Sequence, residues 1–196
     1  MDDIVLKAMA KWPDVPAAFG WLSLDRRGHW LIKGETIGNA ALNAFISRNY
    51  THDDQGRWFF QNGPQRVFVE LAYTPWVYIA PDAAQPCALL THTQQPVREV
   101  RSAWIDDSGA LLLSTEHGIG LMHDGDLESL LPLFVNAGGN AVDEDMLETL
   151  FEQCAHAQAV QLWFQFDRAR VKINPVRAAD VAQQFNFQSQ PQDIRE

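Results

Sequence analysis

Five side chains on one short hairpin are the leading candidates for chemistry in this chain: Arg57, Phe59, Gln61, Arg66 and Phe68. Gly63-Pro64 marks the turn between them. Proline has no N–H to give a ladder, so a loop over residues 62–65 is expected, pairing Gln61 with Arg66 and Phe59 with Phe68. The two-residue period of a strand then sends Trp58, Phe60, Val67 and Val69 to one face, the core face. The other face gathers Arg57, Phe59, Gln61, Arg66, Phe68 and Glu70. Two guanidiniums beside two rings and an amide suit an anionic or planar ligand, with the arginines as clamps on its charge. The plainer reading of the same residues is packing. A helix expected over residues 37–48 could lie on the two phenylalanines and close the face.

A second set, His117, His123, Asp124 and Asp126, could hold a metal. Gly118 and Gly120 separate the histidines, which are expected on adjacent strands. Zinc would want three such ligands at about 2.0–2.2 Å and an open position for water. On that arrangement the chain would be a metal-assisted hydrolase. The competing reading is strand-end histidines in solvent, and no HExxH, CxxC, Walker or GxSxG pattern favours catalysis. Ser114-Thr115-Glu116-His117 has the residue types of a triad, but neighbours on a strand point to opposite faces. Gly118-Ile119-Gly120 opens no helix and so is no phosphate loop. Cys87 and Cys154 share no spacing motif with each other or with a histidine, so both thiols are expected to be free. No metal or cofactor is therefore expected. A non-enzymatic module that binds a small anionic ligand or a protein partner is favoured over the hydrolase and over a plain scaffold.

The elements that position these residues are announced by a repeated turn. Asp25-Arg26-Arg27-Gly28, Asp53-Asp54-Gln55-Gly56 and Asp106-Asp107-Ser108-Gly109 each precede a short apolar run. Aspartate accepts from backbone ahead of it, and glycine takes the left-handed position that follows, so each copy predicts a hairpin. Gln161–Phe166 and Arg170–Ile173 predict a closing hairpin. Helices are expected over 4–11, 37–48, 127–134 and 143–155, with a last short one near 178–184. The 143–155 segment carries Met146, Leu147, Leu150, Phe151 and Cys154 on one stripe. The expectation is an α+β protein of antiparallel β-meanders with about four helices in two small lobes. Pro81, Pro86 and Pro96 place the division near 80–96, giving lobes over 1–85 and 97–187, or one continuous domain.

The runs Gly28-His29-Trp30-Leu31-Ile32-Lys33-Gly34, Phe45-Ile46-Ser47-Arg48-Asn49-Tyr50 and Gly56–Val67 resemble uncharacterised proteobacterial families of unknown function. The block Ala103-Trp104-Ile105-Asp106-Asp107-Ser108-Gly109 is similar to their second half. The resemblance covers most of the chain. It implies a compact α+β bacterial protein, and it implies no activity and no catalytic residue.

Composition sets the outer bounds. The net charge is −10, and between Arg101 and Arg168 there is no lysine or arginine, although that interval carries acids from Asp106 to Asp167. Such a field repels phosphate backbones, so nucleic acid is not an expected partner. No apolar run of about eighteen residues exists, so no membrane span is expected. The acidic start, Met1-Asp2-Asp3, is unlike a signal peptide. A cytoplasmic protein, monomeric or a homodimer, is the expectation.

Overall fold

The computed structural model describes residues 1–12, 15–80, 89–126, 128–156 and 160–193. Contacts divide the chain into two units: Met1–Pro75 together with Phe185–Glu196, and Trp76–Gln184. Cys87 and much of the loop expected as a boundary lie outside the described residues, and so does the side chain of Cys154.

The first unit runs α1 (Asp3–Lys11), β1 (Ala18–Leu24), β2 (Trp30–Ile32), β3 (Glu35–Thr36), α2 (Ala40–Arg48), β4 (Tyr50–His52), β5 (Trp58–Asn62) and β6 (Gln65–Leu71). Its six strands form one sheet in the order β3-β2-β1-β6-β5-β4. Asn39 caps α2, its side chain accepting from the Leu42 N–H at 3.0 Å, the arrangement that satisfies one orphan donor of a helix start. The two three-stranded meanders are antiparallel within themselves. The crossover through α2 then brings β6 beside β1 in parallel, since parallel neighbours need such a crossover. The sheet is mixed, and this corrects the purely antiparallel expectation.

The second unit runs β7 (Trp76–Ile79), β8 (Leu90–Thr91), β9 (Val100–Asp106), β10 (Leu111–Thr115), β11 (Ile119–Met122), β12 (Phe134–Val135), α3 (Glu144–Ala155), β13 (Trp163–Phe166), β14 (Ala169–Val176) and α4 (Val181–Gln184). Its eight strands are ordered β12-β13-β14-β9-β10-β11-β7-β8, with β14 parallel to β9 and β7 parallel to β11. Four α-helices are thus present among the described residues. The helix expected over 127–134 is instead a 3-10 segment, Glu128–Leu133, followed by β12. Pro132 has no N–H for an α-helical bond, which is the physical reason.

The two units repeat one plan. β1, β2, β3, β4, β5 and β6 correspond to β9, β10, β11, β12, β13 and β14, in the same spatial order. The register matches pair for pair. Leu22↔Ile32 and Leu24↔Trp30 across the first hairpin answer to Ala103↔Leu113 and Ile105↔Leu111. The parallel pairs Leu22↔Val69 and Leu24↔Leu71 answer to Ala103↔Ile173 and Ile105↔Pro175. Phe60↔Val67 and Gln61↔Arg66 answer to Phe164↔Val171 and Gln165↔Arg170. The helices do not correspond: α2 lies between β3 and β4, whereas α3 lies between β12 and β13.

The repeated aspartate turn has the expected construction. In each copy Asp Oδ1 accepts two backbone N–H groups: Arg27 and His29 for Asp25, Gln55 and Arg57 for Asp53, Ser108 and Ala110 for Asp106. Two further copies carry other residues at the first position. Asn136 Oδ1 accepts from Gly138 and Asn140, with Gly139 at φ +81°. Thr91 Oγ1 accepts from Gln95, with Gln94 at φ +66°. An amide or hydroxyl oxygen performs the same local bonding as a carboxylate, so the pattern is wider than its aspartate copies.

Candidate functional site

The candidate site is on β5 and β6 of the first unit. The ladder pairs Phe59↔Phe68, Phe60↔Val67 and Gln61↔Arg66 as expected, and continues to Asn62↔Gln65. The loop is therefore two residues, Gly63-Pro64, and not the four of 62–65. Gly63 sits at φ +57°. Glycine at the first loop position followed by proline with its fixed negative φ is the II′ pattern, which matches the twist of the strands.

Both faces of this hairpin are covered. Trp58, Phe60 and Val69 are buried on one, and Phe59, Gln61 and Phe68 on the other. The helix α2 packs on the Phe60 face, where Phe45 meets Phe60 edge-on at 5.4 Å. It therefore does not lie on Phe59 and Phe68, which corrects the packing expectation. Phe19 of β1 covers Phe68 instead, stacked on it with centroids 4.5 Å apart and planes 7° apart. Arg57 lies over the Phe68 ring at 4.7 Å and Arg66 over the Phe59 ring at 4.9 Å, the geometry of a cation on a ring face.

A groove of about 560 Å3 opens beside this cluster, its lining including Met9, Trp12, Phe19, Gln61, Arg66 and Phe68 together with Arg57 and Asp193. The size is that of a small-molecule site. Its two arginines are not equivalent. The Arg57 guanidinium donates to Asp53, with Nη2 and Nε at 2.8 and 2.9 Å from Oδ2, and both side chains are largely buried. Burial alone would raise the Asp53 carboxyl, but the Arg57 guanidinium and the turn's backbone N–H groups hold it below its ordinary value. Arg57 is thus already neutralised, and only Arg66 stands without an ion pair among the described residues. Gln61 is 1% exposed. Its Nε2 donates to the Gly63 carbonyl at 2.9 Å, while Oε1 meets no donor among the described residues.

Sequence reasoning missed Asp53, Phe19, Trp12 and Asp193. The first had a signal: Asp53 and Arg57 are four residues apart across a turn that brings them together. The others come from α1, β1 and the returning C-terminal segment, and no local pattern ties those to β5.

The metal candidate is not assembled. His117 precedes β11 and His123 follows it, so they stand at opposite ends of one strand and not on adjacent strands. Four strand residues hold them about 13 Å apart along the chain direction. His117 is instead 3.0 Å from the Pro96 carbonyl through Nε2 and packs against Trp76 at 5.7 Å. His123 approaches Asp124 and Asp126 at 3.9 and 3.7 Å, and Asp126 Oδ2 accepts from the Ala80 N–H. Among the described residues no group of three or more His, Cys, Asp or Glu side chains is gathered for an ion. Among the described residues no helix is long and apolar enough to cross a membrane.

The profile of the DUF2944 family, described as "Protein of unknown function (DUF2946)", matches residues 1–192. No curated protein matches the chain. Among solved structures, a DUF1285 family protein from Silicibacter pomeroyi DSS-3 aligns over 90% of this chain and 97% of its own, at 12% identity and a TM-score of 0.54. A second, from Shewanella baltica OS155, covers 55% of this chain and 87% of its own at 17% identity and a TM-score of 0.42. The first of these is similar in fold, and neither carries a stated activity.

Proposed function

This chain belongs to the DUF2944 family, and on that footing we propose that its first unit binds a small, flat, anionic ligand in the groove lined by Arg57, Gln61, Arg66 and Phe68, with Phe59 buried beneath Arg66, without catalysing a reaction. One observation carries the reading. The groove is completed by parts that stand outside the repeat, α1 with Trp12 and the C-terminal segment. Trp163, Gln165 and Arg170 are the counterparts of Phe59, Gln61 and Arg66, and Arg170 lies over the Trp163 ring at 4.7 Å just as Arg66 lies over Phe59. In the second unit Gln165 and Arg170 are exposed, and Lys172 takes the place of Phe68. The hairpin cluster by itself is thus part of the common plan. What differs in the first unit is Phe68 in the place of Lys172, stacked on Phe19 of β1, and the cover added by α1, Trp12 and the C-terminal segment, which turns an open face into a recess.

The roles follow from the chemistry. The stacked Phe19–Phe68 pair offers a flat apolar wall. Arg66 offers a cation that has no ion pair among the described residues. Gln61 Oε1 is the acceptor that an N–H or O–H of the ligand would satisfy. Arg57 serves as a positioning residue, held by Asp53 against the Phe68 ring. One charge-assisted contact contributes about 1.5–3 kcal/mol, so affinity no better than micromolar is expected once ordering costs are included.

The test uses 8-anilinonaphthalene-1-sulfonate, a flat aromatic anion, as the probe. Arg66→Ala should reduce its saturable fluorescence rise at least fivefold while leaving the melting temperature unchanged. Equal binding by the wild type and Arg66→Ala would remove the site.

A further inference from the structure

On the opposite face of the same sheet, α2 covers the strands and leaves a cleft at its side. The cleft has a volume of about 500 Å3, the size of a small-molecule site. Leu42 and Phe45 of α2 form one wall, Leu22 and Val67 form the floor, and Trp21 and Ile32 stand at the mouth. Among the described residues no charged side chain lines it. Apart from the Trp21 indole, its polar lining is Asn62 and Gln65 at the tip of the β5–β6 hairpin, and Gln65 Nε2 already donates to the Pro16 carbonyl at 3.0 Å.

The second unit is filled at the corresponding positions. Leu113, the counterpart of Ile32, has no exposed surface, whereas Ile32 is 41% and Trp21 54% exposed. The helices explain the difference by where they rest: α3 on β9 and β14, but α2 on β5. The mouth is shaped by an irregularity in β1. Between the pairs Ala18↔Val67 and Leu22↔Val69, β1 carries two residues more than β6, and Gly20 within that stretch has φ +69°. The counterpart pairing of β9 with β14 keeps an unbroken register. A bulge re-aims a side chain, and the side chain re-aimed here is Trp21. Lys33 is tied to the bulge twice. Its N–H donates to the Trp21 carbonyl and its Nζ to the Gly20 carbonyl, both at 3.0 Å, with Nζ 4.1 Å from the centre of the Trp21 ring. Lys33 has φ +51°, uncommon for a residue with a Cβ.

We propose that this cleft binds an aliphatic carboxylate, a fatty acid of medium length, with its chain between α2 and β1 and its head at Lys33. The lining offers apolar surface and no charge, so the buried part of the ligand is a hydrocarbon whose removal from water drives binding. The polarity of the ligand lies at one end, because the cation lies at the mouth. Lys33 has no ion pair among the described residues, and a compact ammonium held on a ring at the lip of an apolar cleft meets a carboxylate there. This inference concerns the face opposite the anion groove and does not depend on it.

The probe is decanoate, titrated into the full chain by calorimetry and by tryptophan emission. It should bind saturably and shift the emission to shorter wavelength, and Trp21→Phe should lose most of that shift. Leu42→Trp, which fills the cleft without adding charge, should weaken binding at least tenfold, whereas Arg66→Ala on the other face should leave it unchanged. Where Leu42→Trp does not fold, Ile32→Asp at an exposed position takes its place, with the same loss expected. Lys33→Ala should weaken decanoate about threefold, as for an exposed ion pair, and leave decanol unaffected. Absence of saturable binding, or equal binding by the wild type and the cleft variants, would overturn the proposal. Loss of decanoate in Arg66→Ala with the cleft variants unaffected would move the ligand to the anion groove and equally overturn it. Equal binding of decanoate by the wild type and Lys33→Ala would overturn the carboxylate and leave the cleft to a neutral chain.

Discussion

A single carboxylate, Asp53, links the local turn to the candidate site. Its Oδ1 builds the turn, accepting from Gln55 and Arg57, and its Oδ2 holds the Arg57 guanidinium against Phe68. Held below its ordinary value in the fold, this carboxylate adds stability that is complete above the unfolded value near 4 and is lost as pH falls through the folded value. Asp53→Asn should therefore cost about 1–3 kcal/mol at pH 7, the range for a buried hydrogen bond to a charged group. The gap to the wild type should shrink below about pH 4, which thermal melts across pH 3 to 7 would measure. A constant gap would mean that the charge contributes nothing. At the same scale Trp58, 8% exposed within an aromatic cluster with Tyr50, should cost about 3–5 kcal/mol on replacement by alanine. If Arg66→Ala collapses the fold and Trp58→Ala does not, the two faces of the hairpin have been exchanged.

The turns set the behaviour of the elements. All three aspartate copies end on a glycine with positive φ, at +84° for Gly28, +72° for Gly56 and +81° for Gly109, a conformation that disfavours any residue with a Cβ. Gly56 is also pressed by another segment: a Cβ there would meet the Asn186 carbonyl and Phe187 of the returning C-terminal segment. That segment is fastened by Gln188 N–H to Gly56 O and by Leu71 N–H to Ser189 O, at 2.9 and 2.8 Å. Gly109→Ala meets open space and should cost about 1 kcal/mol, the backbone penalty alone. Gly56→Ala should cost more, and it should speed proteolysis after residue 185 as the segment detaches. Equal melting temperatures for the two variants would show that the segment yields freely. The hairpins themselves were legible because their bonding is local: an oxygen, two spacers and a glycine suffice. The copies beginning at Asn136 and Thr91 carry no carboxylate, and an amide or hydroxyl oxygen in that place is too common in sequence to announce a turn by itself.

At the scale of the whole molecule, charge is the property least dependent on the fold. A chain of net charge −10 with no base between Arg101 and Arg168 should show no retention of DNA at moderate salt in a gel shift. Retention that weakens with salt would contradict this. The sequence by itself determined the turns, the hairpin register at Gln61↔Arg66, the α+β class and this acidic half, because each depends on neighbours in the chain or on a plain sum. Tertiary structure alone decided the parallel joins of β1 to β6 and β9 to β14, since strands far apart in sequence choose partners by shared burial. It decided that Arg57 belongs to Asp53, that His117 and His123 stand apart, and that Phe19 and not α2 covers Phe68. It also decided the repeat. Side-chain identity across this hairpin is confined to short runs, Phe60-Gln61 and Arg66-Val67 against Phe164-Gln165 and Arg170-Val171, and beyond them the likeness survives in register, where backbone hydrogen bonds fix it.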